Sequence, residues 1–564
     1  MAHHSKYIKL INKRNSIICL SCLSSFFLGG FITDQVQTEK ITIAMVREAQ
    51  KIIGMDFSDA EADSMLEDLE GQRKNFAELR KLRIPNSVSP SLNFNPLPVG
   101  YIYPDKISSF KISKSPVIKL TAVKDKLAFL TIAKLAELIR TRQISSVDLT
   151  QFFIARIKKY NPVLLNTITI TEKRAMKQAR QADAEIAGGK YRGLLHGIPF
   201  GVKDLLSTAD YNTTWGSVAY KDQITDLDAT VITRLENAGA VMIAKMTLGE
   251  LAMGDVWFGG KTRNPWNILR GSSGSSAGSA SAVAAGCLPF AIGSETLGSI
   301  VSPSTECGTT GLRPTFGRIS KHGAMALSWS MDKLGPITRS AEDCAIVFNA
   351  IQGPDGKDLS VIPAAFSYIS PSGNTLRGIR IGFIKSELGR KYANSANDST
   401  TIAKLIEMGA ELIPVELPVL PYSDMLVVLS AEAGAAFEEL TLTNRDDLLV
   451  NQHKNAWPNG FRSAHFIPAI AYIQANRART LLIDQLNVKM KGLDVFIAPS
   501  FGQNLRATNL SGHPCVVLPN GFRNGLPGSI TFTGQLFGEG KLLQVAQIYQ
   551  NATDFHGKHP AMDF

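Results

Sequence analysis

The spacing of apolar and polar positions changes character twice along the chain. Apolar residues recur at helical spacing over 41–53. Ser58, followed three residues later by Glu61, then opens a second helix carrying Leu66, Leu69 and Leu79. Periodicity fades over 85–125, where Pro85, Pro90, Pro96, Pro98 and Pro104 predict an ordered wrap or linker rather than core. Beyond about Leu130 the pattern becomes α/β. Helices are predicted over 130–142, over 146–159 (Leu149, Phe153, Ile154 and Ile157 on one face), and over 228–238, closed by Gly239. Short apolar runs at 166–170, 197–202, 240–244, 287–292, 379–384, 410–414 and 495–498 read as strands. Their alternation with helices predicts one α/β domain over 127–564, a large mixed β-sheet covered by helices. Residues 34–126 form its N-terminal helical extension and Pro-rich linker. Residues 420–490 read as a largely helical insertion of the sort that shapes a pocket.

The N-terminus follows a different rule. Lys6, Lys9, Lys13 and Arg14 precede a mostly apolar, uncharged run over 16–33. A positive region followed by a short hydrophobic one predicts an export signal or membrane anchor over 1–33, and hence an exported protein with possible membrane association through that segment.

Composition narrows the function classes. With 44% hydrophobic and 19% charged residues in 564, the chain has ample material for a folded core. The net charge of +11 comes from scattered basic residues, without the basic-aromatic stripe or zinc spacing of a nucleic-acid binder, so no nucleic-acid partner is expected. Six cysteines are too few for a disulfide scaffold of this length; Cys287, Cys307, Cys344 and Cys515 read as buried small hydrophobes.

Three segments carry candidate chemistry. Residues 271–286 are dense in serine, glycine and alanine, yet they run directly into core-like sequence. A flexible linker is therefore a poor reading, and a glycine-rich turn entering a closely packed helix is a better one. Gly293-Ser294-Glu295-Thr296-Leu297-Gly298-Ser299-Ile300 places a serine after a tight glycine turn, an arrangement that builds a nucleophile and an oxyanion hole together. In Gly197-Ile198-Pro199-Phe200-Gly201-Val202-Lys203-Asp204 a lysine ends an apolar strand, and lysines are seldom buried without purpose.

In this order the three segments resemble the amidase signature family, whose pattern is a Gly/Ser-rich run before an Ala/Val-rich helix, then Gly-x-Asp/Glu-Thr-x-Gly-Ser-Ile, with an upstream Gly-Ile-Pro-x-x-x-Lys-Asp. Asn264-Pro265-Trp266-Asn267, Gly311-Leu312-Arg313-Pro314 and Leu334-Gly335-Pro336-Ile337-Thr338-Arg339 extend the likeness over residues 127–555. Register within the serine run is set by Ala282-Val283-Ala284-Ala285-Gly286, which places the family's bridging serine at Ser275, 24 positions before Ser299. The resemblance implies an amidohydrolase without metal or organic cofactor, acting on a small-molecule or peptide amide. By it, Ser299 is the nucleophile, Ser275 the proton relay after a cis Gly274–Ser275 bond, and Lys203 the base. The backbone amides of Thr296, Leu297, Gly298 and Ser299 form the oxyanion hole. Two departures are visible. Leu297 stands where many members have glycine, and Val301 where many have arginine; the Ser-Ile-Val-Ser-Pro run is nearer the peptide amidase branch.

Two other readings compete. Gly274-Ser275-Ser276-Ala277-Gly278 also fits the nucleophile elbow of α/β-hydrolases, which would make Ser276 the nucleophile and require one of His322, His453, His465 or His513. The elbow wants a strand before it, and 267–270 is a poor one. The other is a partner-dependent subunit, as in the glutamyl-tRNA amidotransferase of the same family. The export-like N-terminus argues against a tRNA partner.

Overall fold

The computed structural model describes residues 39–103, 109–113 and 117–564. The export or anchor segment expected over 1–33 lies outside the described residues. Among those described, no helix is long and apolar enough to cross a membrane.

The chain divides into two units, Met1–Arg83 and Ile84–Phe564. Within the first, helices span Ile43–Ile53 and Asp59–Arg80. The Ser58 hydroxyl accepts from the Glu61 amide while the Glu61 carboxylate takes the Ser58 amide, so the predicted capping box forms. Gly54 closes the earlier helix at φ 66°, a conformation suited to glycine.

In the second unit, eleven strands form one mixed sheet. We number them in chain order: β1 Thr167–Ile170, β2 Pro199–Lys203, β3 Val241–Met246, β4 Phe290–Glu295, β5 Thr310–Arg313, β6 Lys333–Thr338, β7 Arg380–Ile384, β8 Glu411–Val415, β9 Val495–Pro499, β10 Cys515–Arg523 and β11 Leu526–Gly534. Across the sheet they lie in the order β8-β7-β9-β11-β10-β5-β6-β4-β2-β3-β1. The parallel pairs β2/β3 and β2/β4 sit near one edge and β7/β8 with β7/β9 near the other. Antiparallel strands join the two groups. Strands β2, β3 and β4 are buried along their whole length, which explains their continuous apolar runs.

Two residues of the Pro-rich stretch hydrogen-bond to later parts of the chain. Asn86 donates to the carbonyls of Ala326 and Ala436 and accepts from the Ala326 amide, and the Tyr101 hydroxyl donates to the Leu536 carbonyl. Two elements differ from expectation. The helix predicted to stop at 159 runs over Ser146–Leu164, through Pro162. The run 267–270, judged a poor strand, belongs to the strand Asn267–Gly271, paired with Arg263–Asn264 in a separate two-stranded ribbon rather than in the main sheet. Cys287, Cys307, Cys344 and Cys515 are buried and free, as their apolar surroundings predict.

Candidate active site

Lys203 ends β2, the strand beside β4, and the parallel register sets Val202 against Ile292. By that register, continued one residue, Lys203 lies opposite Gly293, next to Ser294. Its Nζ lies 2.8 Å from Ser294 Oγ and 2.8 Å from Ser275 Oγ, and the side chain is fully buried. Burial pushes the ammonium down to about 7, against the opposing pull of the Asp332 and Glu295 carboxylates.

The Gly/Ser run folds as a turn entering the helix Ala277–Ala284, every residue of which is buried. The Gly274–Ser275 peptide bond is cis. Small residues are required here for space. A Cβ on Gly274 would lie 1.8 Å from the Gly254 carbonyl oxygen, and one on Gly278 would lie 2.1 Å from that of Asn166. Ser275 is 1% exposed and faces Lys203. Its neighbour Ser276 reaches across to the other motif, its amide donating to the Ser299 carbonyl at 3.1 Å. Ser299, in contrast to both, is partly exposed.

The turn that carries Ser299 hangs on a carboxylate that composition and spacing left unassigned. Glu295, the last residue of β4, is completely buried and accepts from the amides of Ile300 and Val301 at 2.8 and 2.9 Å. Its other oxygen takes Arg313 Nη1 at 2.8 Å and Asn509 Nδ2 at 2.9 Å. Burial alone would raise this acid, but Arg313 and the hydrogen bonds outweigh it and hold the carboxyl down at about 2. The carboxylate takes the amides of Ile300 and Val301 and not those of Thr296, Leu297, Gly298 or Ser299, the four proposed to meet an oxyanion. Gly298 turns the chain at φ 87°. Leu297, two residues before Ser299, is partly exposed, and Val301 is buried against Cys515 and Val517.

Ser276 is unsuited to the rival role. It is fully buried, donates to the Ser294 carbonyl and accepts from the Ser294 amide, each at 3.1 Å. His513 hydrogen-bonds to Ser511, and burial followed by Arg313 presses its imidazole down to about 3. Ser294 and Glu295 are thus the site residues that motif reading passed over. The signal for Ser294 was present in the parallel adjacency of β2 and β4, which a sequence does not display.

Downstream of Lys203 the chain enters an aromatic cluster. Trp215 follows the lysine strand, with its amide on the Asp204 carbonyl, and its ring meets Tyr220 and Phe437. Phe437 stacks on Phe461, Phe461 on Trp457, and Trp457 donates to the Leu251 carbonyl at 3.0 Å. Phe437, Trp457 and Phe461 come from the largely helical 420–490 segment.

Fold and site together define an enzyme acting on amide C–N bonds. The family profile described as Amidase matches residues 148–508, and the chain belongs to the amidase signature family. A glutamyl-tRNA(Gln) amidotransferase subunit from Coxiella burnetii (strain RSA 493 / Nine Mile phase I) is 35% identical over 480 residues, covering 77% of this chain and 99% of that protein. The native peptide amidase from Stenotrophomonas maltophilia is 30% identical over 77% of this chain and 99% of its own, with a TM-score of 0.69. An amidase family protein from Bacillus anthracis str. Ames is 27% identical over 78% and 94%, with a TM-score of 0.71.

Proposed function

We propose that the protein hydrolyses linear carboxamides through a Ser-Ser-Lys relay, giving a carboxylate and ammonia or an amine. The observation that carries this is the buried Lys203 amine within hydrogen-bond distance of Ser275, in a turn tied through Ser276 to the backbone of Ser299. Uncharged, the amine donates to Ser294 and turns its lone pair to the Ser275 hydroxyl. Ser299 Oγ attacks the amide carbon; its proton passes to Ser275, and the Ser275 proton passes to Lys203. The carbonyl oxygen gains the negative charge and meets the amides of Thr296, Leu297, Gly298 and Ser299. The tetrahedral intermediate collapses as the C–N bond breaks and the leaving nitrogen takes the proton back through the same two groups. Water then attacks the acyl-enzyme by the reverse relay, freeing the carboxylate and Ser299.

The similarity to the amidotransferase subunit supports a second reading, in which glutamine is the amide and the released ammonia serves another acceptor. Ammonia and amine release across a panel that includes glutamine, C-terminal peptide amides and aryl amides separates the two. Hydrolysis of several amides and little of glutamine supports the first reading; glutamine alone supports the second. Ser299→Ala is expected to abolish turnover on every active amide, and turnover by that variant would exclude Ser299 as nucleophile. We also infer export from the basic and apolar pattern of 1–33. Cell fractionation that finds the chain only in the cytosol would exclude it.

A further inference from the structure

We propose that Glu432, on the insertion, is a positioning residue for the oxyanion turn. The proposal rests on the Ser299 reading and adds to it a residue far from the three signature segments. The β4/β6 register pairs Glu295 with Lys333, so the residues just beyond that pair, Thr296 and Asp332, face each other. The Thr296 hydroxyl donates to Asp332 Oδ1 at 2.5 Å. Asp332 in turn belongs to a turn closed on itself: its Oδ2 accepts from the amides of Leu327 and Ser328, and its own amide donates to the Ser328 carbonyl.

Glu432 grips that turn from the other side. It lies in the helix Val427–Ala436 and is 6% exposed. Its Oε2 accepts from the Ser328 hydroxyl at 2.6 Å and the Ser330 amide at 3.0 Å. Its Oε1 accepts from the Ser330 hydroxyl at 2.7 Å and the Tyr472 hydroxyl at 2.9 Å. Arg479, also buried, donates to the Ser330 hydroxyl and carbonyl at 2.9 and 3.1 Å. The chain of contacts therefore runs from the insertion helices through Glu432, the 328–332 turn and Asp332 to Thr296. Four donors converge on two carboxylate oxygens, so an amide in place of the acid turns at least one contact into donor against donor. Small displacements of oxyanion donors cost rate steeply, which gives this remote carboxylate leverage over the reaction.

The test uses the full chain and a fluorophosphonate probe, whose phosphoryl oxygen occupies the oxyanion position once Ser299 is modified, so no substrate need be known. Glu432→Gln is expected to lower the maximal labelling rate about ten- to a hundredfold, with the probe's half-saturation concentration little changed. Ser330→Ala, a milder cut in the same contacts, is expected to lower it less and provides the measurement if Glu432→Gln does not fold. In combination with Thr296→Val, either change is expected to add little to the loss from Thr296→Val alone, because both act on one chain of contacts. A fall in melting temperature with an unchanged labelling rate in these variants, or losses that multiply fully with Thr296→Val, overturns the proposal. Labelling that persists in Ser299→Ala instead overturns the reading beneath it, so the two failures are distinct.

Discussion

The proposed relay needs an uncharged amine at Lys203, and burial favours that form. The sign of the pH dependence follows. Below about 7 the amine is protonated and cannot take the Ser275 proton; above it the lone pair is available. The activity, as kcat/KM on any amide that the panel identifies, is expected to rise with pH through about 7. Lys203→Met is expected to reduce it by about a thousandfold or more and to erase that rise. An unaltered profile in the variant would mean that another group titrates. Gly274 offers a test of a different kind. Its added methyl meets backbone, the Gly254 carbonyl, and not a flexible side-chain end. Gly274→Ala is expected to destabilise the fold by about 1–3 kcal/mol or more in chemical denaturation and to displace Ser275, with activity falling further than stability.

The turn after β4 behaves as one element because Glu295 binds its far end and Arg313 balances the charge. Removing one partner leaves the other buried and unpaired, so Glu295→Ala is expected to cost about 3–5 kcal/mol in a denaturant midpoint series and to lower kcat as the Ser299 turn loosens. The same carboxylate fixes a sign for acid stability. Held at about 2 when folded against an ordinary value near 4.5, it contributes stability above about 4.5 that is lost as the pH falls toward 2. A Glu295→Gln variant is expected to show a flatter acid limb in thermal unfolding. Sequence made seven strands legible because each is an apolar run bounded by turn residues, and Ser58 with Glu61 announced a helix start. It passed over β5, β6, β10 and β11. Thr310–Arg313 is short and ends on a buried arginine, Lys333–Thr338 begins on a buried lysine and holds Gly335 and Pro336, and the last two pair with each other amid Gly521, Gly528 and Pro527. Those strands are buried with polar residues satisfied by distant partners, and local pattern carries no record of a distant partner. The site divides in the same way. Lys203, Ser275 and Ser299 stand in motifs, whereas Ser294 and Glu432 matter through adjacency that only the folded chain creates.

At the scale of the molecule, the groups proposed for the relay all belong to the unit Ile84–Phe564, and the helices of Met1–Arg83 contribute none of them. A chain lacking residues 1–83 is expected to keep amide hydrolysis within about twofold of the full chain when assayed soluble, since no site residue is removed. A loss of activity without a loss of folding would assign the first unit a part in catalysis. The unit that remains joins two groups of parallel strands through antiparallel ones, and the Ser299 turn leaves β4, where one parallel group meets the antiparallel strands and elements far apart in sequence converge. The relay itself is tested most directly by following fluorophosphonate modification of the intact enzyme as a function of pH and mapping the adduct by peptide mass. The account predicts an adduct on Ser299 whose rate of formation rises through about pH 7, and a slow, pH-independent reaction in Lys203→Met. An adduct on Ser276, or equal rates in the two proteins, would contradict it.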